Sequence, residues 1–297
     1  MKILLLGKNG QVGFELQRAL APLGEVCAVD QPECDLTEVS AIRELVRSFK
    51  PDAIVNPAAY TAVDKAESEQ ELAHAINTVA PGVLGEEAAK QGAWVVHYST
   101  DYVFDGSKPG AYCEDDLTNP QSVYGRTKRA GETALQQSGA RHLIFRTSWV
   151  VGAHGGNFAK IILRLAGERE SLNVVADQYG APTSAALLAD VTAQLVRQRQ
   201  REGDKNFPFG LYHLVAGGET NWCDYARFVV SEAQAAGKPL KLSPDSIRAI
   251  PSSEYPSPAK RPANSRLDTS KLRGTFNLEL PGWQSGVRHI LQQILGR

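Results

Sequence analysis

The chain has 297 residues, 42% hydrophobic and 22% charged, with 32 Lys plus Arg against 33 Asp plus Glu. That length suits one large or two smaller domains with an ample core, and a net charge of -1 offers no basic surface for nucleic acid or an anionic membrane. Four cysteines without C-x-x-C spacing argue against zinc and against a disulfide framework and fit a reducing cytoplasm, and the apolar run at residues 3–6 is too short for a signal peptide or a membrane span.

Residues 2–6 are a continuous apolar run closed by Gly7, the pattern of a buried parallel strand. Gly7-Lys8-Asn9-Gly10-Gln11-Val12-Gly13 follows, then a helical pattern through Phe14, Leu16 and Leu20. Strand, glycine-rich turn and helix in that order make a site for a dinucleotide: the glycines admit the ligand to the backbone and the helix N-terminus faces its pyrophosphate. Residues 25–30 read as a second strand ending in Asp30, where a carboxylate would meet a ribose; a plain loop Asp is the alternative. The charge of Asp30 favours NADH, Lys8 in the turn offsets it, and NADPH stays open. Thr37 is placed to cap a helix over 38–49. Residues 51–56 read as a third strand, running into small residues that let a cofactor lie against the backbone. A helical stretch over 67–91 carries Asn77.

A fourth strand within 92–106 puts Thr100 and Asp101 at the carboxyl end of the sheet, where ligands of doubly wound sheets bind. The Thr100 hydroxyl can hydrogen-bond a carbonyl oxygen and its alkoxide; a simple turn is the alternative. Asn119 as cap and Pro120 as first residue open a helix. On it Tyr124 and Lys128 stand at i and i+4 and face the same way. A free phenol, with a pKa near ~10, is a poor acid at neutral pH. An ammonium beside it lowers that value and makes a usable proton donor and acceptor. A solvated Tyr beside a solvated Lys is the alternative; the upstream hydroxyl and glycine turn make the pair more specific.

Residues 141–149 read as a fifth strand ending at Trp149, an aromatic that either packs on a sugar or base or fills a core. Asn157 lies at the opening of a helix to about 167, residues 172–175 are a strand, and Thr183 caps a helix to about 199. Residues 197–206 are the nearest thing to a linker, 210–215 rejoin the sheet, and Asn221 caps 222–236. The Pro- and Ser-rich stretch 251–262 excludes a long helix. It ends in Lys260-Arg261-Pro262, suited to a diphosphate or simply solvated. Residues 284–295 close as an amphipathic helix. The expected fold is α/β: a Rossmann-like doubly wound parallel sheet over 1–150, taking back a segment near 210–215, with a smaller C-terminal lobe over 151–297 and substrate in the cleft between them.

The glycine turn, Asn56-Pro57-Ala58-Ala59-Tyr60-Thr61-Ala62-Val63-Asp64, His97-Tyr98-Ser99-Thr100-Asp101-Tyr102-Val103-Phe104 and Tyr124-Gly125-Arg126-Thr127-Lys128 resemble the dTDP-4-dehydrorhamnose reductases of the extended short-chain dehydrogenase/reductase superfamily. So do Arg146-Thr147-Ser148-Trp149-Val150, Asn157-Phe158, Asp177-Gln178-Tyr179-Gly180-Ala181-Pro182-Thr183 and Arg261-Pro262-Ala263-Asn264-Ser265-Arg266-Leu267, so that nearly the whole chain is covered. The resemblance implies cytoplasmic reduction of the 4-keto group of dTDP-4-dehydro-L-rhamnose by NADPH or NADH, the last step of dTDP-L-rhamnose synthesis. It implies Tyr124, Lys128 and Thr100 as catalytic residues and Asn77 as an orienting one. It places the cofactor against Gly7, Gly10, Gln11, Val12, Asp30, Asp35, Leu36, Ala59, Tyr60, Thr61, Tyr98, Tyr124 and Lys128. The nucleotide-sugar falls to Thr100, Asp101, Trp149, Asn157 and Arg261.

Related sugar-nucleotide dehydratases carry an Asp-Glu pair after the Thr, whereas Asp101 is followed by Tyr102, which disfavours dehydration. Epimerising reductases place a Cys and a His for proton abstraction; Cys113 lies in a plausible loop, but no His lies in a matching motif. Non-catalytic regulatory subunits on this fold lose the Tyr/Lys pair, which is intact here, and another nucleotide-sugar ketoreductase is the remaining alternative. Some family members are dimers bridged by a divalent metal through Glu side chains. Glu15 is present, but residues 185–187 carry no acid, so no metal is assigned and a homodimer stays open.

Overall fold

The computed structural model describes residues 1–203 and 205–296. Among them, six strands form one parallel sheet in the order Gly210–His213, Arg141–Thr147, Trp94–Thr100, Ala53–Asn56, Lys2–Leu6, Glu25–Val29. The chain runs outward from Lys2–Leu6 to Glu25–Val29, then crosses to pair Ala53–Asn56 on the other side of Lys2–Leu6. That reversal opens a crevice at the carboxyl ends of the strands. Strands Ala53–Asn56 and Trp94–Thr100 are buried along their whole length. Helices Gln11–Leu20 and Ala185–Glu202 supply Leu16, Leu20, Leu188 and Leu195 to the core on one face. Helices Val39–Phe49, Ala80–Gln91 and Val123–Gln137 supply Ile42, Val46, Leu84, Ala88 and Leu135 on the other. Covering on both faces is why the strands read as unbroken apolar runs.

A second core, with Val151, Ile162, Leu163, Tyr225, Val229 and Ile290, joins helices Phe158–Glu168, Trp222–Ala235 and Trp283–Leu295. Leu172–Val175 pairs there with Ile247–Ile250, a strand the sequence hides because two of its four residues are exposed. Helix Ser270–Phe276 was also not expected; it puts Leu272 and Phe276 against the sheet core.

Three expected caps shift by one to three residues, each for a local reason. Asn119 donates its backbone N–H to Val103 O and its side chain to Asp105, so the helix starts after Ser122, whose hydroxyl accepts from Gly125 N at 3.1 Å. Thr37 donates both N–H and hydroxyl to Asp35 in a turn, and the helix starts at Val39. Thr183 pairs in a strand with Val150, leaving Ser184 to cap the next helix. The 67–91 stretch resolves into Gln70–His74, a π-helical turn Ala75–Val79 and Ala80–Gln91, after a short helix Val63–Ala66. Residues 197–202 of the expected linker are helical and Asp204 lies outside the described residues. The fifth strand stops at Thr147 rather than 149, because Trp149 takes a left-handed φ of 48°.

Between the fifth strand and the helix Val123–Gln137 lies a buried ion pair. Arg146 donates Nε and Nη2 to the two carboxylate oxygens of Glu132 at 2.8 and 2.7 Å, with side chains 3% and 0% exposed. Removing one partner strands a charge away from water. Glu132→Ala is expected to cost about 3–5 kcal/mol in urea unfolding, while Arg164→Ala, which removes an exposed i,i+4 pair with Glu168, costs no more than about 0.5 kcal/mol.

Candidate active site

The glycine turn and the helix behind it form one wall of the crevice. Gly7 has φ 71°, and a Cβ there would meet Ala58 Cβ at 2.9 Å; a Cβ on Gly13 would meet Gly7 O at 1.9 Å. These two glycines close the turn against itself. Gly10 differs: its Cβ would have Gly7 O at 3.3 Å as its only near neighbour, so a side chain there projects into the cleft. No side chain caps helix Gln11–Leu20, which leaves its N-terminal amides for an anion. A cleft of about 410 Å³ runs from Gly7, Gly10 and Gln11 past Asp30, Ala59 and Thr61 to Ser99, Tyr124, Lys128 and Thr147. A second, of about 290 Å³, shares Gly7, Asp30, Ala58 and Ala59 and continues past Asp35, Leu36 and Tyr60. Two chambers that share Gly7, Asp30, Ala58 and Ala59, one of them reaching an uncapped helix N-terminus, fit a dinucleotide with the pyrophosphate at the turn.

At the inner end, strand Trp94–Thr100 and helix Val123–Gln137 bring the chemical groups together. Tyr124 stands edge-on to Tyr102, ring centroids 5.4 Å apart, with Thr100 near enough to act on its phenol. Thr100 itself accepts from Tyr102 N and donates to Asp101 Oδ1, both at 3.1 Å. Lys128 is held differently from expectation. Its Nζ donates to Tyr98 O at 2.6 Å and faces His97 Nε2 at 3.4 Å. Burial pushes the Tyr124 phenol up to about 12, against a downward pull from Thr100. The expected lowering by Lys128 is not found, because the ammonium is engaged by the strand and the phenol is enclosed. Burial also lowers Lys128 to about 8, opposed by Glu132, and raises the Asp101 carboxyl to about 6, opposed by Ser265 and Thr100.

Other residues singled out from sequence find partners within the chain. Asp30 accepts from Asn9 N and Gln31 N, each at 2.8 Å, and Lys8 is paired with Glu33 at 2.6 Å rather than free beside Asp30. Gln11 and Asn157 hydrogen-bond each other, and Asn157 caps Phe158–Glu168, so its amide is spent on structure. Tyr98 lines the cleft, but its phenol turns away to Thr192 at 2.6 Å. This follows from strand alternation, which sends neighbouring side chains to opposite faces. Trp149 stacks on Trp222, centroids 3.7 Å apart, and a Cβ on Gly180 would meet its ring at 2.8 Å. Arg261 forms a two-pronged pair with Asp64 at 2.7 and 3.2 Å. Glu15 lies beside Arg18, which bridges to Asp190.

Asn77, the orienting residue that the resemblance implies, is buried; it clamps the backbone of Tyr60 through both amide atoms and reaches Thr127, one residue from Lys128. Two hydroxyls beyond it escaped the sequence reading. Ser99 and Thr147 present buried hydroxyls without a partner among the described residues, and both line the cleft. The parallel register, which sets Thr100 beside Thr147, brings these strand ends together.

The family model described as the RmlD substrate binding domain matches residues 1–295. The chain is 53% identical to the dTDP-4-dehydrorhamnose reductase of Escherichia coli K12 over 298 residues, covering 99% of this chain and 98% of that one. A crystal structure of a dTDP-4-dehydrorhamnose reductase from Clostridium acetobutylicum superposes with a TM-score of 0.90 at 34% identity, covering 98% and 99%. One from Bacillus anthracis in complex with NADP superposes with a TM-score of 0.88 at 33% identity, covering 97% and 98%. Among the described residues no helix is long and apolar enough to cross a membrane.

Two measurements check this geometry. Gly10→Val is expected to abolish dinucleotide binding by calorimetry while leaving the circular dichroism spectrum unchanged, whereas Gly13→Ala destabilises the fold, since its Cβ has no room. The raised Asp101 carboxyl makes the protein lose stability as pH climbs from the unfolded value of 3.8 through about 6, because the buried charged form is disfavoured. Asp101→Asn should therefore gain stability over the wild type near pH ~7.5 and none near pH ~4 in urea melts.

Proposed function

The chain belongs to the dTDP-4-dehydrorhamnose reductase family, and on that premise we propose that it reduces the 4-keto group of dTDP-4-dehydro-L-rhamnose to give dTDP-L-rhamnose, with NADPH as reductant and NADH also accepted. The observation that supports it most is that Tyr124 and Lys128 together line the inner end of the dinucleotide cleft, with Thr100 acting on the phenol. When bound, the reduced nicotinamide supplies a hydride to the carbonyl carbon. Tyr124 gives its proton to the carbonyl oxygen as charge develops there, and Thr100, turning its hydroxyl from Asp101, adds a hydrogen bond. A phenol pushed up to about 12 is fully protonated at neutral pH, the state that the reducing direction needs. Lys128 places a positive charge beside the phenolate left behind and holds the nicotinamide ribose.

The dinucleotide lobe in this reading is 1–150 with the strand Gly210–His213, and helix Ala185–Glu202 packs on it; most of 151–297 holds the nucleotide-sugar. A cavity of about 240 Å³ lined by Ala181, Val215, Ser265 and Arg266 adjoins Asp101 through Ser265 and suits part of that ligand. Arg261 meets the diphosphate by exchanging its Asp64 partner for phosphate oxygens. The cytoplasm is the compartment, in keeping with four free cysteines.

The experiment is NADPH oxidation with dTDP-4-dehydro-L-rhamnose. Tyr124→Phe is expected to lower kcat by roughly a hundred- to ten-thousand-fold with little change in KM. Near-full turnover in that variant would show that Tyr124 is not the acid.

A further inference from the structure

Beneath Tyr124 runs a buried polar chain that the proton transfer itself does not use. Lys128 is 1% exposed and His97 0%. His97 Nε2 faces Lys128 Nζ at 3.4 Å and His97 Nδ1 faces Asn56 Nδ2 at 3.3 Å, while Asn56 Oδ1 has no partner among the described residues.

Donor and acceptor roles constrain this chain. A charged ammonium only donates, so His97 Nε2 must be the acceptor and the ring hydrogen must sit on Nδ1. Nδ1–H then requires a carbonyl from Asn56. The Asn56 main chain acts on the ring in this sense, and exchanging the two Asn56 amide atoms, which are interchangeable in shape, offers a second carbonyl and gives the unpartnered oxygen a donor. The opposite tautomer would set Nε2–H against the ammonium, two donors face to face and one of them charged. Burial, and then the Lys128 charge, hold His97 well below its ordinary pKa, so the ring is neutral.

We propose that His97 is a positioning residue for Lys128: its neutral ring, set in the Nδ1–H tautomer by Asn56, accepts a hydrogen from the ammonium and fixes it between the Tyr98 carbonyl and the cofactor cleft. Its effect on turnover rests on the reductase reading, but its effect on cofactor binding does not.

The groups around Lys128 are few. Strand Trp94–Thr100 gives His97 and the Tyr98 carbonyl. The helix carrying Lys128 gives Tyr124 and Glu132, the latter neutralised by Arg146. Asp101 acts on Tyr124, and His142 on the next strand acts on His97. Burial already outweighs Glu132 at Lys128. Losing the His97 acceptor takes away a hydrogen bond that is stronger to the charged form, which drives the lysine further down.

The test is the pH dependence of NADPH binding, followed by calorimetry without substrate, in wild type, His97→Leu and His97→Gln. In wild type, affinity should fall on the alkaline side as Lys128 loses its proton. In His97→Leu that fall should move about one pH unit lower, weakening NADPH roughly ten-fold just above neutral pH. His97→Gln keeps an acceptor toward Lys128 and a donor toward Asn56, and should return the profile to that of wild type. An unmoved alkaline limb in His97→Leu overturns the proposal. Should His97→Leu not fold, nitrogen-15 NMR of the wild-type ring decides: the Nδ1–H tautomer supports the tether and the Nε2–H tautomer overturns it. A wild type that binds NADPH with this profile yet does not reduce the sugar nucleotide leaves the tether standing and removes the reductase reading instead.

Discussion

Lys128 keeps its Nζ inside the protein at 1% exposure, and an ammonium there is costly unless each of its hydrogens finds a partner. The surrounding fold can be followed outward from that requirement. Strand Trp94–Thr100 offers the Tyr98 carbonyl from its inner edge and His97 from one face. The helix Val123–Gln137 holds Lys128 against that strand, with Glu132 one turn on and itself fixed by Arg146 of the next strand. Asn77 reaches Thr127 from the π-helical turn and ties Tyr60 of the cofactor cleft to the same helix. Positioning of the reactive groups thus depends on a few buried polar contacts set into a close-packed sheet.

The sheet was legible because parallel strands buried on both faces must be apolar throughout, so residues 2–6 and 93–98 announce themselves. The glycine turn was legible for steric reasons at Gly7 and Gly13. The neighbourhood of Tyr124 was legible from i,i+4 spacing, but the environment of its phenol was not, since burial depends on what closes over the ring. Caps at Asn119 and Thr183 misled because each has a competing partner from a distant part of the chain, whereas Thr37 is taken by its neighbour Asp35. His97 and Asn56 were invisible as partners because they lie 41 residues apart and meet only through the parallel register of two strands.

Two cations that the sequence reading set near the ligands are already paired within the chain. Lys8 is paired with Glu33, and Arg261 with Asp64. Both pairs are partly exposed, where an ion pair is worth little, so a phosphate can replace the carboxylate at small cost. The interior pairs are of the opposite kind: Arg146 and Glu132 are out of water and cannot be exchanged cheaply. In the proposed function, exchangeable charge near the surface and fixed charge in the interior would let the ligands be gripped without disturbing Tyr124 and Thr100.

The central claim is that the cleft delivers hydride to a sugar carbonyl while a side chain of the protein supplies the proton to oxygen. Its most direct measurement is the fate of label from NADPH carrying deuterium at the transferring position of nicotinamide C4, with dTDP-4-dehydro-L-rhamnose as acceptor in ordinary water. Mass spectrometry and NMR of the product should find the deuterium bound to sugar carbon 4. Product that carries hydrogen from water at that carbon, or deuterium retained in the oxidised cofactor, would contradict the account.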